Sequence, residues 1–253
     1  MNSPVTRHPV IAALVLRAMR RGIVRHFNAV RLSGDQSVLQ FRGPLIICSN
    51  HPGWWDPAVF AFLQHRLFRH CHGYGPIDAD ALRRYPLLEK AGLIPVDITD
   101  TRSLQRFFRT AQQMLKQGNI LWVTPQGHFA DPRTRPLNLQ SGVAHLLRHV
   151  SNARVITLAI EYPFWKESRP ELLLRFGSFV AHEDSKNIGE IMSRLEIDLT
   201  ETMDALAHDA CAQDASRFTV LTTGRAGIGG LYDLLRRVWQ RHQGQRFTPR
   251  HDA

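Results

Sequence analysis

Short apolar runs alternate with segments of helical period along most of this chain, and that alternation limits the fold more than any other feature. Leu93 to Asp97, Ile120 to Thr124, Arg154 to Tyr162 and Glu171 to Phe176 read as strands. Residues 36–49 read as two more strands meeting at Gly43-Pro44. Between them lie helical stretches: Asp56 to about Arg66, Asp80 to Lys90, Ser103 to Gln117, Gln140 to Val150 and Ile188 to about Ala210. The clearest is Ser103 to Gln117, where Leu104, Phe107, Phe108, Ala111, Met114 and Leu115 follow the i, i+3, i+4, i+7 pattern and Gly118-Asn119 supplies the stop. In the helix from Asp56, the aspartate reads as N-cap and Pro57 as the first helical residue. Strands alternating with helices imply an α/β fold, a single domain with a mostly parallel central sheet flanked by helices. With 253 residues, 43% of them apolar, the chain can fill one such core, and no Gly/Ser-rich or Pro-rich break, repeat or low-complexity segment divides it.

The two ends are different in character. The first 27 residues read as one amphipathic helix: Ile11, Val15, Leu16, Met19, Ile23 and Phe27 share one half of the wheel, and Arg7, Arg17, Arg20, Arg21 and Arg25 the other. Such a helix suits both packing on the domain and docking at a membrane interface. After Gly227-Ile228-Gly229-Gly230, Leu231 to Arg241 repeats the pattern, with Leu231, Leu234, Leu235, Val238 and Trp239 opposite Arg236, Arg237, Gln240 and Arg241. The expected organisation is a basic amphipathic surface helix over 1–30, the α/β domain over 31–215, and a basic amphipathic helix and tail over 216–253.

Thirty-two basic residues against 22 acidic ones give a net charge of +10, which favours an anionic partner. An anionic membrane surface, a phosphorylated substrate and nucleic acid all fit the charge. No specific nucleic-acid motif is present, and the arginines concentrate on helices with apolar opposite faces, which favours the membrane. No run reaches the length of a transmembrane helix, and the segment after Val10 to Leu16 has arginines rather than a cleavage site, so neither a span nor a signal peptide is expected. Cys48, Cys71 and Cys211 have no CxxC spacing, which points to a reducing compartment without a disulfide framework. His145 and His149 have metal-compatible spacing but no intervening Glu in the HExxH sense, and His65, His70, Cys71 and His72 are dense but irregular; neither group is expected to hold a metal.

The chemistry concentrates in Ser49-Asn50-His51-Pro52-Gly53-Trp54-Trp55-Asp56-Pro57, between two apolar segments. On a continuous helix His51 and Asp56 would point about 140° apart. Pro52-Gly53 argues for a turn instead, one that brings the carboxylate back to the imidazole. A carboxylate on one imidazole nitrogen fixes the tautomer and makes the other nitrogen a better base. The plain alternative is a helix cap beside a polar histidine.

Asn50-His51-Pro52-Gly53-Trp54-Trp55-Asp56 resembles the NHxxxxD block of the phospholipid/glycerol-phosphate acyltransferase family. Three further segments resemble that family's later blocks, in order: Gly92 to Asp97, Val123-Thr124-Pro125-Gln126-Gly127, and Val155 to Ile160. The resemblance spans about residues 40 to 180. It implies that His51 is a general base oriented by Asp56, and that the base activates a lipid hydroxyl for attack on the thioester of acyl-CoA or acyl-carrier protein. It implies no metal and no organic cofactor, and a peripheral protein on the cytoplasmic face of a membrane. Asn50, Trp54, Trp55, Pro125, Gln126 and Gly127 become candidates for substrate binding.

The departures bear on the acceptor. The family's second block ends in an arginine, whereas here Asp97, Ile98 and Thr99 follow Val96 and Arg102 is the first arginine. The third block carries Glu and then Arg, where this chain has Gln126 and Phe129; the fourth has Thr157 where proline is common. The arginines are the residues that would bind an acceptor phosphate, since a guanidinium–phosphate pair is strong and bidentate. The acceptor is therefore expected to be a lysophospholipid or related lipid alcohol whose phosphate is absent or is held by displaced arginines, Arg102 and Arg133. Gln126 also raises the alternative of an inactive lipid-binding relative, against which stands the retained His51/Asp56 pair.

Overall fold

A computed structural model describes residues 7–180, 187–224 and Trp239. In chain order its elements are α1 (Pro9–His26), β1 (Ala29–Ser33), β2 (Leu45–Ser49), α2 (Asp56–Leu67), β3 (Gly73–Asp78), α3 (Ala79–Arg84) and β4 (Leu93–Val96), then α4 (Thr101–Lys116), β5 (Ile120–Val123), α5 (Gly142–Leu147), β6 (Arg154–Glu161), β7 (Leu172–Phe179), α6 (Ile188–Ala212) and β8 (Phe218–Thr223). The strands form one sheet in the order β4-β3-β5-β2-β6-β7-β1-β8. Neighbours run parallel except at β6–β7 and β1–β8. This is a single α/β domain with a mostly parallel sheet.

Alternation along each strand divides the core between the two faces. Leu45 and Ile47 of β2, with Ile156, Leu158 and Ile160 of β6, meet Val59, Phe62 and Leu63 of α2 and Ile23 and Phe27 at the end of α1. Ile46 and Cys48 of β2 meet Phe107, Ala111, Met114 and Leu115 of α4 and Ile191 and Leu195 of α6. Farther along α6, Leu199, Met203 and Leu206 cover Ala159 and Leu173. Burying one such aliphatic side chain contributes about 1.5–3 kcal/mol.

The expected half of α1 does face the domain: Ile23 is fully buried, and Met19 packs beside it. What remains outward is a different stripe, with Val10 and Leu14 exposed at 60% and 61%. The helix expected over Leu231 to Arg241, with Gly227-Ile228-Gly229-Gly230 before it, lies outside the described residues apart from Trp239, which is exposed.

Several elements differ from the sequence reading. Of residues 36–49 only β2 is a strand, because Asp35 accepts hydrogen bonds from the Ser37 amide (2.9 Å) and hydroxyl (2.5 Å) and turns the chain into a 3-10 segment, Ser37–Gln40. The helix expected over Asp80 to Lys90 breaks, with Pro86 opening a 3-10 turn. Strands β1, β3 and β8 were not expected. β8 pairs with β1, so the sheet runs past residue 215.

Within β1 the burial of Arg31 is compensated at long range: its Nε donates to Glu171 Oε2 at 2.9 Å, and Asn28 Nδ2 donates to Glu171 Oε1 at 2.5 Å. Trp165 lies under the guanidinium at 5.6 Å. The ion pair ties β1 to the start of β7, where Val30 is level with Leu172.

Candidate active site

Parallel strands β2, β5 and β6 lie side by side and end on the same edge of the sheet, which places the segments after them together. The chain leaves β2 at Asn50, whose amide clamps the main chain of β6: Nδ2 donates to the Ile160 carbonyl (3.0 Å) and Oδ1 accepts from the Ile160 amide (2.8 Å). Asn50 is 1% exposed, so its side chain is part of the frame rather than a surface for a ligand. From the other side, the loop after β5 holds His51 by its backbone. The His51 amide donates to Gln126 Oε1 at 2.9 Å, and the Ala130 amide donates to the His51 carbonyl at 3.0 Å.

The turn then doubles back. His51 Nδ1 lies 2.5 Å from Asp56 Oδ2, and the Gly53 amide donates to the same oxygen at 3.2 Å. The Tyr162 hydroxyl, just past β6, donates to Asp56 Oδ1. Asp56 is fully buried while the His51 side chain keeps 18% of its surface. Asp56 is therefore not the N-cap of α2: Trp55 occupies that position without a side-chain bond, and Asp56 is in the first turn. Its carboxylate is committed to the imidazole, the Gly53 amide and the phenol, and the helix N-terminus favours its negative charge.

With Nδ1 as the donor to the carboxylate, Nε2 carries the lone pair. No partner for Nε2 occurs among the described residues. Burial, and then the Asp56 charge, push the Tyr162 phenol well above the ordinary tyrosine range, so it stays a donor.

The surroundings are aromatic. The Phe129 ring lies 4.5 Å from the His51 ring, centroid to centroid. Trp55 packs on Phe27 and His26 of α1, at 5.4 and 4.9 Å, and Trp54 stands edge-on to it with 72% of its surface exposed. Pro125 and Gln126 are buried, and Gly127, at φ 74°, makes the turn that bonds its amide to the Thr124 carbonyl at 3.0 Å. Because Gln126 Oε1 must accept from the His51 amide, its Nε2 faces away as a donor, with no partner among the described residues.

Among the described residues, neither displaced arginine bonds to His51, Asp56, Gln126 or Tyr162. Arg133 forks onto Asp131 at 2.8 and 2.7 Å, a pairing that raises the guanidinium's pKa and holds the carboxyl well below its usual range. Arg102 is exposed in the first turn of α4, which follows β4, and β4 is three strands from β2. Three strand spacings are about 14 Å.

The sequence reading missed Tyr162 as a site residue. It ends an apolar strand, as His51 nearly does. Only the β2–β6 pairing, with Ser49 level with Leu158, brings the two strand ends together. Among the described residues no three His, Cys, Asp or Glu side chains are placed to hold a metal, and no helix is long and apolar enough to cross a membrane.

The family model for Acyltransferase matches residues 29–161, slightly more than half of the chain. The protein belongs to that family. Among solved structures, the 1-acyl-sn-glycerophosphate acyltransferase PlsC of Thermotoga maritima superposes with a TM-score of 0.58 at 12% identity, covering 78% of this chain and 79% of that one. A likeness at this identity shows the fold. The pilus retraction motor PilT with bound ADP reaches a TM-score of 0.38 at 13% identity over 72% of this chain and 62% of its own, too little to carry an argument. No curated protein matches in sequence.

Proposed function

We propose that this acyltransferase moves a fatty acyl group from an acyl thioester, acyl-CoA or acyl-carrier protein, to the hydroxyl of a lipid acceptor, with His51 as general base. The observation that carries this reading is the His51 Nδ1–Asp56 Oδ2 contact of 2.5 Å on a fully buried carboxylate, with Nε2 unpartnered on the open side. Nε2 takes the acceptor's hydroxyl proton as its oxygen attacks the thioester carbonyl carbon. The tetrahedral intermediate collapses, the C–S bond breaks, and the leaving thiolate takes the proton from the imidazolium. Ester and free thiol result. A base so placed contributes on the order of 10²–10⁴ in rate. With its oxygen committed to the His51 amide, Gln126 has its Nε2 left as a side-chain donor for the acceptor or the developing oxyanion.

The acceptor is a lysophospholipid or a related lipid alcohol. Of these two, the lipid alcohol without a phosphate is favoured, because Phe129 stands at the imidazole and Arg133 is paired with Asp131. The protein lies on an anionic membrane, at its cytoplasmic face, without a metal or organic cofactor. The outward stripe of α1 supports this attachment, with Val10 and Leu14 continuing into Arg17, Arg21 and Arg25, all exposed.

The test is transfer from radiolabelled acyl-CoA or acyl-carrier protein to vesicles holding lysophosphatidic acid, other lysophospholipids, or phosphate-free lipid alcohols and glycolipids. Labelled ester on a phosphate-free acceptor is expected. No transfer from either donor to any acceptor would overturn the reading in favour of an inactive lipid-binding protein, the role that Gln126 in place of a glutamate would suit.

A further inference from the structure

We infer that Tyr162 is a positioning residue of the site, holding the Asp56 carboxylate so that its other oxygen faces His51 Nδ1. The inference rests on the reading of His51 as the base. The two oxygens of Asp56 are engaged differently. Oδ2 takes the imidazole and the Gly53 amide, and Oδ1 takes the Tyr162 hydroxyl. Without a donor on Oδ1, one oxygen of a fully buried carboxylate would be left without a partner, with the Gly53 amide alone holding the other toward His51 Nδ1. The phenol supplies that partner.

The phenol is itself fixed. The Tyr162 ring packs on Phe27 at 5.4 Å, and Phe27 packs on Trp55, the residue before Asp56, at the same distance. On its other side, a Cβ on Gly53 would stand 3.7 Å from Tyr162 Cε2. The end of α1, the turn after β2 and the end of β6 thus close around one carboxylate. His26 lies against Trp55 and its Nδ1 bonds to the Gly22 carbonyl, and Glu161 precedes Tyr162 with its carboxyl pushed up by burial; neither bonds to Asp56 or His51.

A donor on Oδ1 draws charge from the carboxylate and so weakens its pull on the imidazolium. Removing the hydroxyl lets the carboxylate stabilise imidazolium more strongly, and the pKa of His51 rises. A role confined to packing would leave that titration unchanged, because the Phe ring keeps the contacts with Phe27 and Gly53.

The experiment is an NMR titration of the His51 ring in the full chain, its signal assigned by loss in His51→Ala, in wild type and Tyr162→Phe. It needs no substrate, so it stands even if acyl transfer is not found. The expected result is an upward shift of the His51 titration midpoint in Tyr162→Phe. Where transfer is measured, a drop of about tenfold in kcat with the donor's KM little changed should accompany it. If Tyr162→Phe does not fold, 3-fluorotyrosine incorporation gives the second arm: a more acidic phenol donates more strongly and should move His51 downward. Superposable His51 titrations in the variant, or in the fluorinated protein, would overturn the inference.

Discussion

The ring of Phe129 rests against the ring of His51, with centroids 4.5 Å apart and planes inclined by 58°. Phe129 is 59% exposed, so it contributes little to the core and much to the mouth of the site. Aromatic pairs are worth about 0.5–1.5 kcal/mol beyond their burial. Phe129→Ala, which removes the ring beside the imidazole, should lower kcat/KM for acyl transfer by roughly 2- to 10-fold, on the scale where about 1.4 kcal/mol is tenfold, and should lower the thermal midpoint by no more than a few degrees. Steady-state kinetics beside a melting curve would check both.

Gly177 of β7 stands where any side chain would collide with a polar cluster. A Cβ there would lie 2.1 Å from Thr157 Oγ1, 2.4 Å from Thr202 Oγ1 and 3.0 Å from Asp198 Oδ2. The Thr157 hydroxyl, fully buried, donates to Asp198 at 2.6 Å and so ties β6 to α6. Gly177→Ala should cost about 1–3 kcal/mol or more, as overpacking does. Adding Thr157→Ala should recover part of that loss in a double-mutant cycle, read by urea denaturation.

The two faces of α1 should separate cleanly by mutation. Val10→Asp with Leu14→Asp, both on exposed positions, should leave stability within about 0.5 kcal/mol and weaken binding to anionic vesicles in a sedimentation assay. Ile23→Asp, at a fully buried position, should unfold the protein or its first helix. Unchanged vesicle binding in the double variant would place the membrane contact elsewhere.

Tyr162 should also leave a mark on alkaline stability. Its phenol is raised in the fold, chiefly by burial and then by Asp56. Above the ordinary tyrosine pKa of about 10 the unfolded chain gives up this proton and the folded chain keeps it, so its contribution to stability falls as pH rises. The slope is up to about 1.4 kcal/mol per pH unit. Denaturation midpoints of wild type and Tyr162→Phe, compared from pH 9 to 11, should converge as pH increases.

Much of the architecture is written locally. β2, β5 and β6 are covered on both faces by helices, and so appear in the sequence as continuous apolar runs. β1 is buried too, but Arg31 breaks its apolar run, and it and Asn28 just before the strand are tolerated only through Glu171, some 140 residues away. β3 carries two glycines and a proline, and β8 is an edge strand with exposed residues, so neither shows the pattern of a buried strand. The site divides the same way. His51 and Asp56 sit in one turn and are legible from their spacing and their setting. Tyr162 and Phe129 reach them only through the pairing of β2 with β6 and the fold of the loop after β5, which no local pattern encodes. The N-cap expectation for Asp56 failed because its carboxylate turns back to His51 and the Gly53 amide within the same turn and is completed by Tyr162 from the end of β6.

In the proposed reaction His51 removes the acceptor's proton. The most direct measurement is thiol release from the acyl thioester on acceptor vesicles, wild type against His51→Ala, with circular dichroism and melting to show that both are folded. A fall in rate on the order of 10²–10⁴ is expected in a folded His51→Ala protein. Undiminished release coupled to ester formation in that variant would contradict that role of His51.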